Sequence, residues 1–173
     1  MKNKTMYSIG ALLATGLAGV STAQFDGPYD PANWTFSSPV GGSFSNDGFT
    51  LILTGGDVSV GGNTDYTIMA AASGTWSFNW SYSSVDYGTF DTGGYLLNGA
   101  YTVLSDNDAS GNGSESIAVN FGDTIGYRVL TADGLFGAGV LNVSKFDAPI
   151  PGPAAAALLG VAGLLGRRSR RRR

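Results

Sequence analysis

Eight consecutive residues, Thr75-Trp76-Ser77-Phe78-Asn79-Trp80-Ser81-Tyr82, place an aromatic ring at every second position. Successive side chains of a pleated strand point to opposite faces. Trp76, Phe78, Trp80 and Tyr82 therefore share one face, and Thr75, Ser77, Asn79 and Ser81 share the other. A helix would scatter the same rings around its axis. Each ring buries about 150–250 Å², so the face demands a second layer to cover it. The expectation is the core of a sandwich, because an apolar patch of this size is rarely left in water. The competing reading is an exposed aromatic platform that stacks on sugar rings.

Period two returns along the chain. Phe49, Leu51 and Leu53 alternate with Thr50, Ile52 and Thr54. Ile117, Val119 and Phe121 alternate with Ser116, Ala118 and Asn120, and Ile125, Tyr127 and Val129 with Thr124, Gly126 and Arg128. Weaker strands are expected over 66–70 and 139–146. Asn98-Gly99 predicts a type I′ hairpin, since that turn needs φ > 0 at both positions. Gly122-Asp123 predicts a second hairpin of type II′, between strands ending at Phe121 and starting at Thr124. Asn46-Asp47-Gly48 and Asp133-Gly134 mark further turns. Together these signals predict a C-terminal three-strand meander. They give roughly eight to ten strands in two antiparallel sheets, an all-β sandwich with a jelly-roll-like layout.

The two ends differ from this body. Residues 1–23 read as a signal peptide: Lys2 and Lys4 supply the positive start, Met6 to Val20 the apolar stretch, and Ser21-Thr22-Ala23 the small residues before a cut between Ala23 and Gln24. The last 25 residues hold a proline cluster (Pro149, Pro151, Gly152, Pro153), then an Ala/Leu/Gly/Val run from Ala154 to Gly166, then Arg167, Arg168, Arg170, Arg171, Arg172 and Arg173. Proline separates the tail from the body, the apolar run suits lipid, and arginines resist crossing it. Thirteen apolar residues span roughly 20 Å as a helix, short of a ~30 Å hydrocarbon core, so the tail is a marginal, transient inner-membrane anchor. Both ends are expected to be helical.

The order proline cluster, apolar helix, arginine cluster resembles the PEP-CTERM sorting signal of bacterial envelopes. The match covers residues 149–173 and is of the Pro-Gly kind, lacking the motif's glutamate. The resemblance implies an exosortase-type transpeptidase as partner and a destination at the cell surface or outside it. The body, with Ser73-Gly74 before the aromatic strand, Leu97-Asn98-Gly99 and Gly122-Asp123-Thr124-Ile125-Gly126, loosely resembles sandwich domains carried by such proteins.

Between the ends lies a body of residues 24–148, one domain with chain enough for a core. All thirteen acidic residues fall there, against only Arg128 and Lys145, which leaves a net charge of −11. So acidic a body excludes nucleic acid as a partner. Cysteine and histidine are absent, which removes Ser-His-Asp and Cys-His catalysis and His- or Cys-ligated metals. Asp86, Tyr87 and Asp91, in the loop expected after the aromatic strand, form a candidate sugar contact. The carboxylates alone would be the pair of a glycoside hydrolase. Asp106, Asp108, Ser110 and Glu115 form a candidate calcium loop: oxygen ligands alternate before Gly111, although position twelve is Ile117 rather than Glu. The simpler and favoured reading of both stretches is that Asp, Asn and Gly serve there as turn formers. No other cofactor is expected. The reading is thus an exported, non-enzymatic surface or matrix protein. The alternative is a carbohydrate-binding module of the envelope or exopolysaccharide, and a carboxylate hydrolase is the remote third.

Overall fold

The computed structural model describes residues 24–86, 89–105 and 110–152. The signal segment, the apolar run and the arginine cluster, with both expected terminal helices, lie outside the described residues. Ten strands follow two short 3-10 turns, Gly27–Tyr29 and Pro31–Asn33. They are β1 (Thr35–Ser37), β2 (Ser43–Asn46), β3 (Thr50–Thr54), β4 (Gly62–Met69), β5 (Gly74–Ser83), β6 (Asp91–Leu97), β7 (Ala100–Val103), β8 (Ser110–Val119), β9 (Thr124–Thr131) and β10 (Val140–Asp147). One sheet has the order β1-β4-β9-β6-β7 and the other β2-β3-β10-β5-β8. Every pairing is antiparallel. The all-β, two-sheet sandwich expected from period two is the fold.

The core lies between the sheets and is largely aromatic. Register sets Tyr66 opposite Tyr127 and Tyr127 opposite Tyr95, a row of three tyrosines across the first sheet. Trp76 and Phe78 of β5 meet that row from the second sheet, with Phe78 edge-on to Tyr127 at 5.0 Å and Trp76 at 5.6 Å. Edge-to-face contacts suit the ring quadrupoles. Trp76, Phe78 and Tyr82 are buried, so three rings of the alternating strand are core. Trp80 is only half-buried. Its indole lies over Gly111 and Gly113 of β8, where a Cβ at Gly113 would sit 3.0 Å from the ring nitrogen.

The segment before β1 closes the lower end. Phe25 stacks on Phe146 at 4.5 Å and Trp34 on Tyr66 at 4.7 Å. The Tyr29 hydroxyl donates to the Pro149 carbonyl (2.8 Å) and accepts from the Ala71 N–H (2.9 Å). The first proline of the tail motif is thereby tied to the body, and Ile150 packs on the core beside it.

Four expectations need correction. Gly122-Asp123 does make a turn, with Asp123 N–H bonded to Asn120 O and Gly122 at φ +86°. The flanking strands β8 and β9 lie in different sheets, so the turn is a corner, not a hairpin. For the same reason β8, β9 and β10 form no meander. Phe49 and Phe121, expected to point inward, fall just outside their strands and are exposed. The Asn98-Gly99 hairpin forms as expected, with φ of +52° and +82°. The Asn46-Asp47-Gly48 hairpin also forms, held by Asp47 Oδ1 accepting from Phe49 and Thr50 N–H.

Candidate functional site

Strand directions sort the connections into two kinds. At one end of the sandwich sit the hairpin turns at 47–49 and 98–99 and the corners at 70–73 and 120–123. At the other end sit five longer crossings from sheet to sheet: 38–42, 55–61, 84–90, 104–109 and 132–139. Loops on a rigid scaffold are where binding groups concentrate. Of the candidate residues from the sequence, Asp86, Asp91 and Ser110 fall at this loop end.

Backbone contacts bind the loops to one another. Gly55 N–H bonds Gly139 O (2.9 Å), Ser59 N–H bonds Gly134 O (2.7 Å), and Ala132 N–H bonds Phe90 O (2.7 Å). Leu104 N–H bonds Gly93 O, and Gly93 N–H returns to the Ser105 hydroxyl (3.0 Å). This last pair ties Leu104 and Ser105, at the start of the 104–109 connection, to strand β6. Gly134 has φ +67° and no room for a Cβ against the Val60 backbone.

Beneath the loops is a polar floor between the sheets. Asp91 is the first residue of β6 and is 1% exposed, so it is an interior residue rather than the loop residue expected. Its Oδ2 accepts from the Ser84 hydroxyl at 3.1 Å. Burial raises its pKa above the ordinary carboxylate range; the Thr131 and Ser84 hydroxyls oppose this, while Asp86 and Asp133 add to it. Tyr82 reaches the same floor from β5, its hydroxyl against Gly139 and its ring against Gly93. Burial raises that phenol too, and the Asp91 charge adds to the effect. Asp86 is also buried, its N–H donating to Ser84 Oγ (3.1 Å). Tyr87 lies outside the described residues.

Above the floor the loops expose apolar side chains: Val58 and Val60 on 55–61, Val85 and Phe90 on 84–90, Leu135 and Phe136 on 132–139. Val85 is 83% exposed and Phe136 78%. Phe136 also has φ +64°, a left-handed conformation that costs an L-residue about 1–2 kcal/mol. Ser59 on the neighbouring loop is left-handed as well, at φ +59°. Strain at bulky exposed residues points toward function rather than packing. Sequence reasoning missed these residues. The available signal was bulky apolar residues set inside Gly/Asp turn sequences, Gly55-Gly56-Asp57-Val58 and Asp133-Gly134-Leu135-Phe136-Gly137. Asp57, Asp86 and Asp133 accompany them, and none of the five connections contains Lys or Arg.

Of the calcium candidates, Asp106 and Asp108 lie outside the described residues. Ser110 opens β8, and Glu115 is five residues along the same strand, paired with Phe78. At ~3.3 Å per residue their positions are roughly 16 Å apart and on opposite faces, so they cannot share one ion. Among the described residues no three Asp or Glu side chains come together as metal ligands. Also among the described residues, no helix is long and apolar enough to cross a membrane.

The class defined by these features is a two-sheet antiparallel β-sandwich with its long crossings gathered at one end. No family model and no curated protein matches the chain. Among solved structures it is similar to a family 35 carbohydrate binding module from Clostridium thermocellum, at 15% identity and a TM-score of 0.32 over 64% of this chain and 87% of that one. It is similar to the N-terminal cellulose-binding domain of Cellulomonas fimi β-1,4-glucanase C, at 15% identity and 0.39 over 79% and 98%. It is also similar to part of a sialidase, at 10% identity and 0.41 over 70% of this chain but only 17% of that protein. Likeness at this level carries no argument about ligand or activity, and the fold stands on the strand pairing alone.

Proposed function

We propose that this chain is an exported, non-catalytic module that binds neutral polysaccharide at its loop end. The observation that carries the reading is the union of exposed apolar side chains with carboxylates on loops that contain no basic residue. A sugar ring offers C–H faces to apolar groups and hydroxyl donors to carboxylates, and this surface answers both. A polyanion meets a body of net charge −11 and is repelled. Cleavage is disfavoured by position, because Asp91 is enclosed between the sheets where a polymer cannot reach it.

The test is affinity electrophoresis against neutral and uronate polysaccharides. A neutral glucan, mannan or xylan should retard the wild-type chain and a polyuronate should not. Phe136→Ala should weaken binding about tenfold, the loss of one apolar contact of ~1.4 kcal/mol. Absence of retardation by every neutral polymer, or full binding by Phe136→Ala, overturns the reading.

Export is proposed from the two ends. The signal segment would be cut after Ala23, and the tail would hold the precursor in the inner membrane for an exosortase-type transpeptidase. The Tyr29–Pro149 bond supports a body that extends to the first proline of the cluster. Intact mass of the mature protein should place the two ends at Gln24 and near Pro151–Pro153. Replacing Arg167–Arg173 with serine should leave unprocessed precursor, and an unchanged mature mass sinks the sorting proposal.

A further inference from the structure

Four strands form the edges of the two sheets: β1 and β7 in one, β2 and β8 in the other. β1 has three residues, β2 and β7 four each, and β8 has ten. An edge strand presents unpaired N–H and C=O groups, and proteins blunt such edges with short strands, lysine, proline or bulges. Three edges here are blunted by length. β8, Ser110-Gly-Asn-Gly-Ser-Glu-Ser-Ile-Ala-Val119, has no proline or lysine, and its pairing with β5 runs unbroken from Ser83 to Gly74. Most of its residues are exposed, and among the described residues no strand pairs with its outer side.

We infer that β8 is a self-association edge, pairing antiparallel with β8 of a second copy of this chain. Three observations select that occupant. β8 supplies a free ten-residue strand, and its copy is the partner that matches it in length. Two antiparallel identical strands close on a two-fold axis without leaving a further free edge. Charge points the same way: the body carries −11, yet β8 has the single charge Glu115. The neighbouring outer face, Ser77, Asn79, Ser81, Asn112, Ser114 and Ser116, has none. Little charge therefore opposes the approach of two acidic bodies along this edge.

Register follows from the same residues. Inner-facing positions must meet inner-facing positions if the two sandwiches are to continue one sheet. Centring on Glu115 would set like charges directly opposite, which destabilises a strand pair. Centring on Ser114 sets Glu115 against Gly113 of the second copy, Ser114 against Ser114, and Asn112 against Ser116. The dimer would then hold its two loop ends at opposite poles. The inference does not depend on what those ends bind.

The chain has no cysteine, so introduced thiols report contacts without background. Under mild oxidation the full chain carrying Ser114→Cys should form a reducible dimer. It should do so at least about tenfold faster than Ser45→Cys on the β2 edge, because pairing raises the local thiol concentration. Asn112→Cys and Ser116→Cys should each cross-link slowly alone, their like positions being ~13 Å apart, and quickly when mixed. Equal rates for Ser114→Cys and Ser45→Cys overturn the pairing, as does a mixture no faster than its components. Both are exposed serines on strands, so loss of folding is not expected, and circular dichroism of each variant checks it.

Discussion

A carboxylate enclosed between two sheets exchanges water for a few hydroxyls, and the exchange is incomplete. Asp91 stands in that position, with Ser84 and Thr131 in place of solvent and the Asp86 and Asp133 charges nearby. Its raised pKa means that the folded state binds the proton more tightly than the unfolded chain does. Stability from this group is therefore greatest at low pH and is lost as pH rises through the folded pKa. Asp91→Asn keeps a hydrogen-bond acceptor for Ser84 and removes the buried charge. The melting temperature of Asp91→Asn should exceed wild type at pH 7, and the gain should vanish near pH 3. A variant that melts lower than wild type at pH 7 would mean that the hydroxyls compensate the charge fully. Trp80 shows how the residue scale limits the sequence. Its parity on the strand was legible, but its half-burial depends on two glycines of β8, brought opposite by a pairing that no local pattern encodes.

Elements were legible where the chain decides them locally. Asn98-Gly99 needs only its own φ angles and two flanking apolar runs, and the hairpin formed with Leu97 opposite Ala100. Gly122-Asp123 carries equally good turn chemistry, with Asp123 Oδ2 accepting from Asn120 N–H at 2.7 Å, yet its strands part. A tight turn reverses the chain whether the next strand continues the same sheet or crosses to the other. What decides is packing remote in sequence: β9 is held between β4 and β6, and β10 between β3 and β5. The stretch 110–115 shows the opposite failure. Asn, Ser and Gly argue for a loop, but Ser110–Glu115 is extended because β5 offers a ten-residue ladder to pair with. Small polar residues are weak strand formers, and tertiary pairing overrode that preference.

At the scale of the molecule, the sequence placed charge and loops separately, and only the fold brought five connections to one end. Asp86 and Asp91 were visible as carboxylates, but Phe136 and Val85 became candidates only when the sandwich left them in solvent. The body's net charge of −11 acts over all of this, since like charges repel in the compact state. Raising ionic strength from 0.01 to 0.15 M shortens the screening length from about 30 to about 8 Å. The melting temperature should therefore rise by a few degrees, the equivalent of ~1 kcal/mol for a domain of this size. β8 pairing should strengthen over the same range, because it brings two acidic bodies together. Binding of a neutral polysaccharide should stay flat, since neither C–H contacts nor hydroxyl donation to carboxylates requires a charged ligand. Measured on one preparation, the three responses separate the forces. Affinity that falls steeply with salt would assign the loop end to a charged ligand, and cross-linking that slows with salt would remove β8 as the association edge.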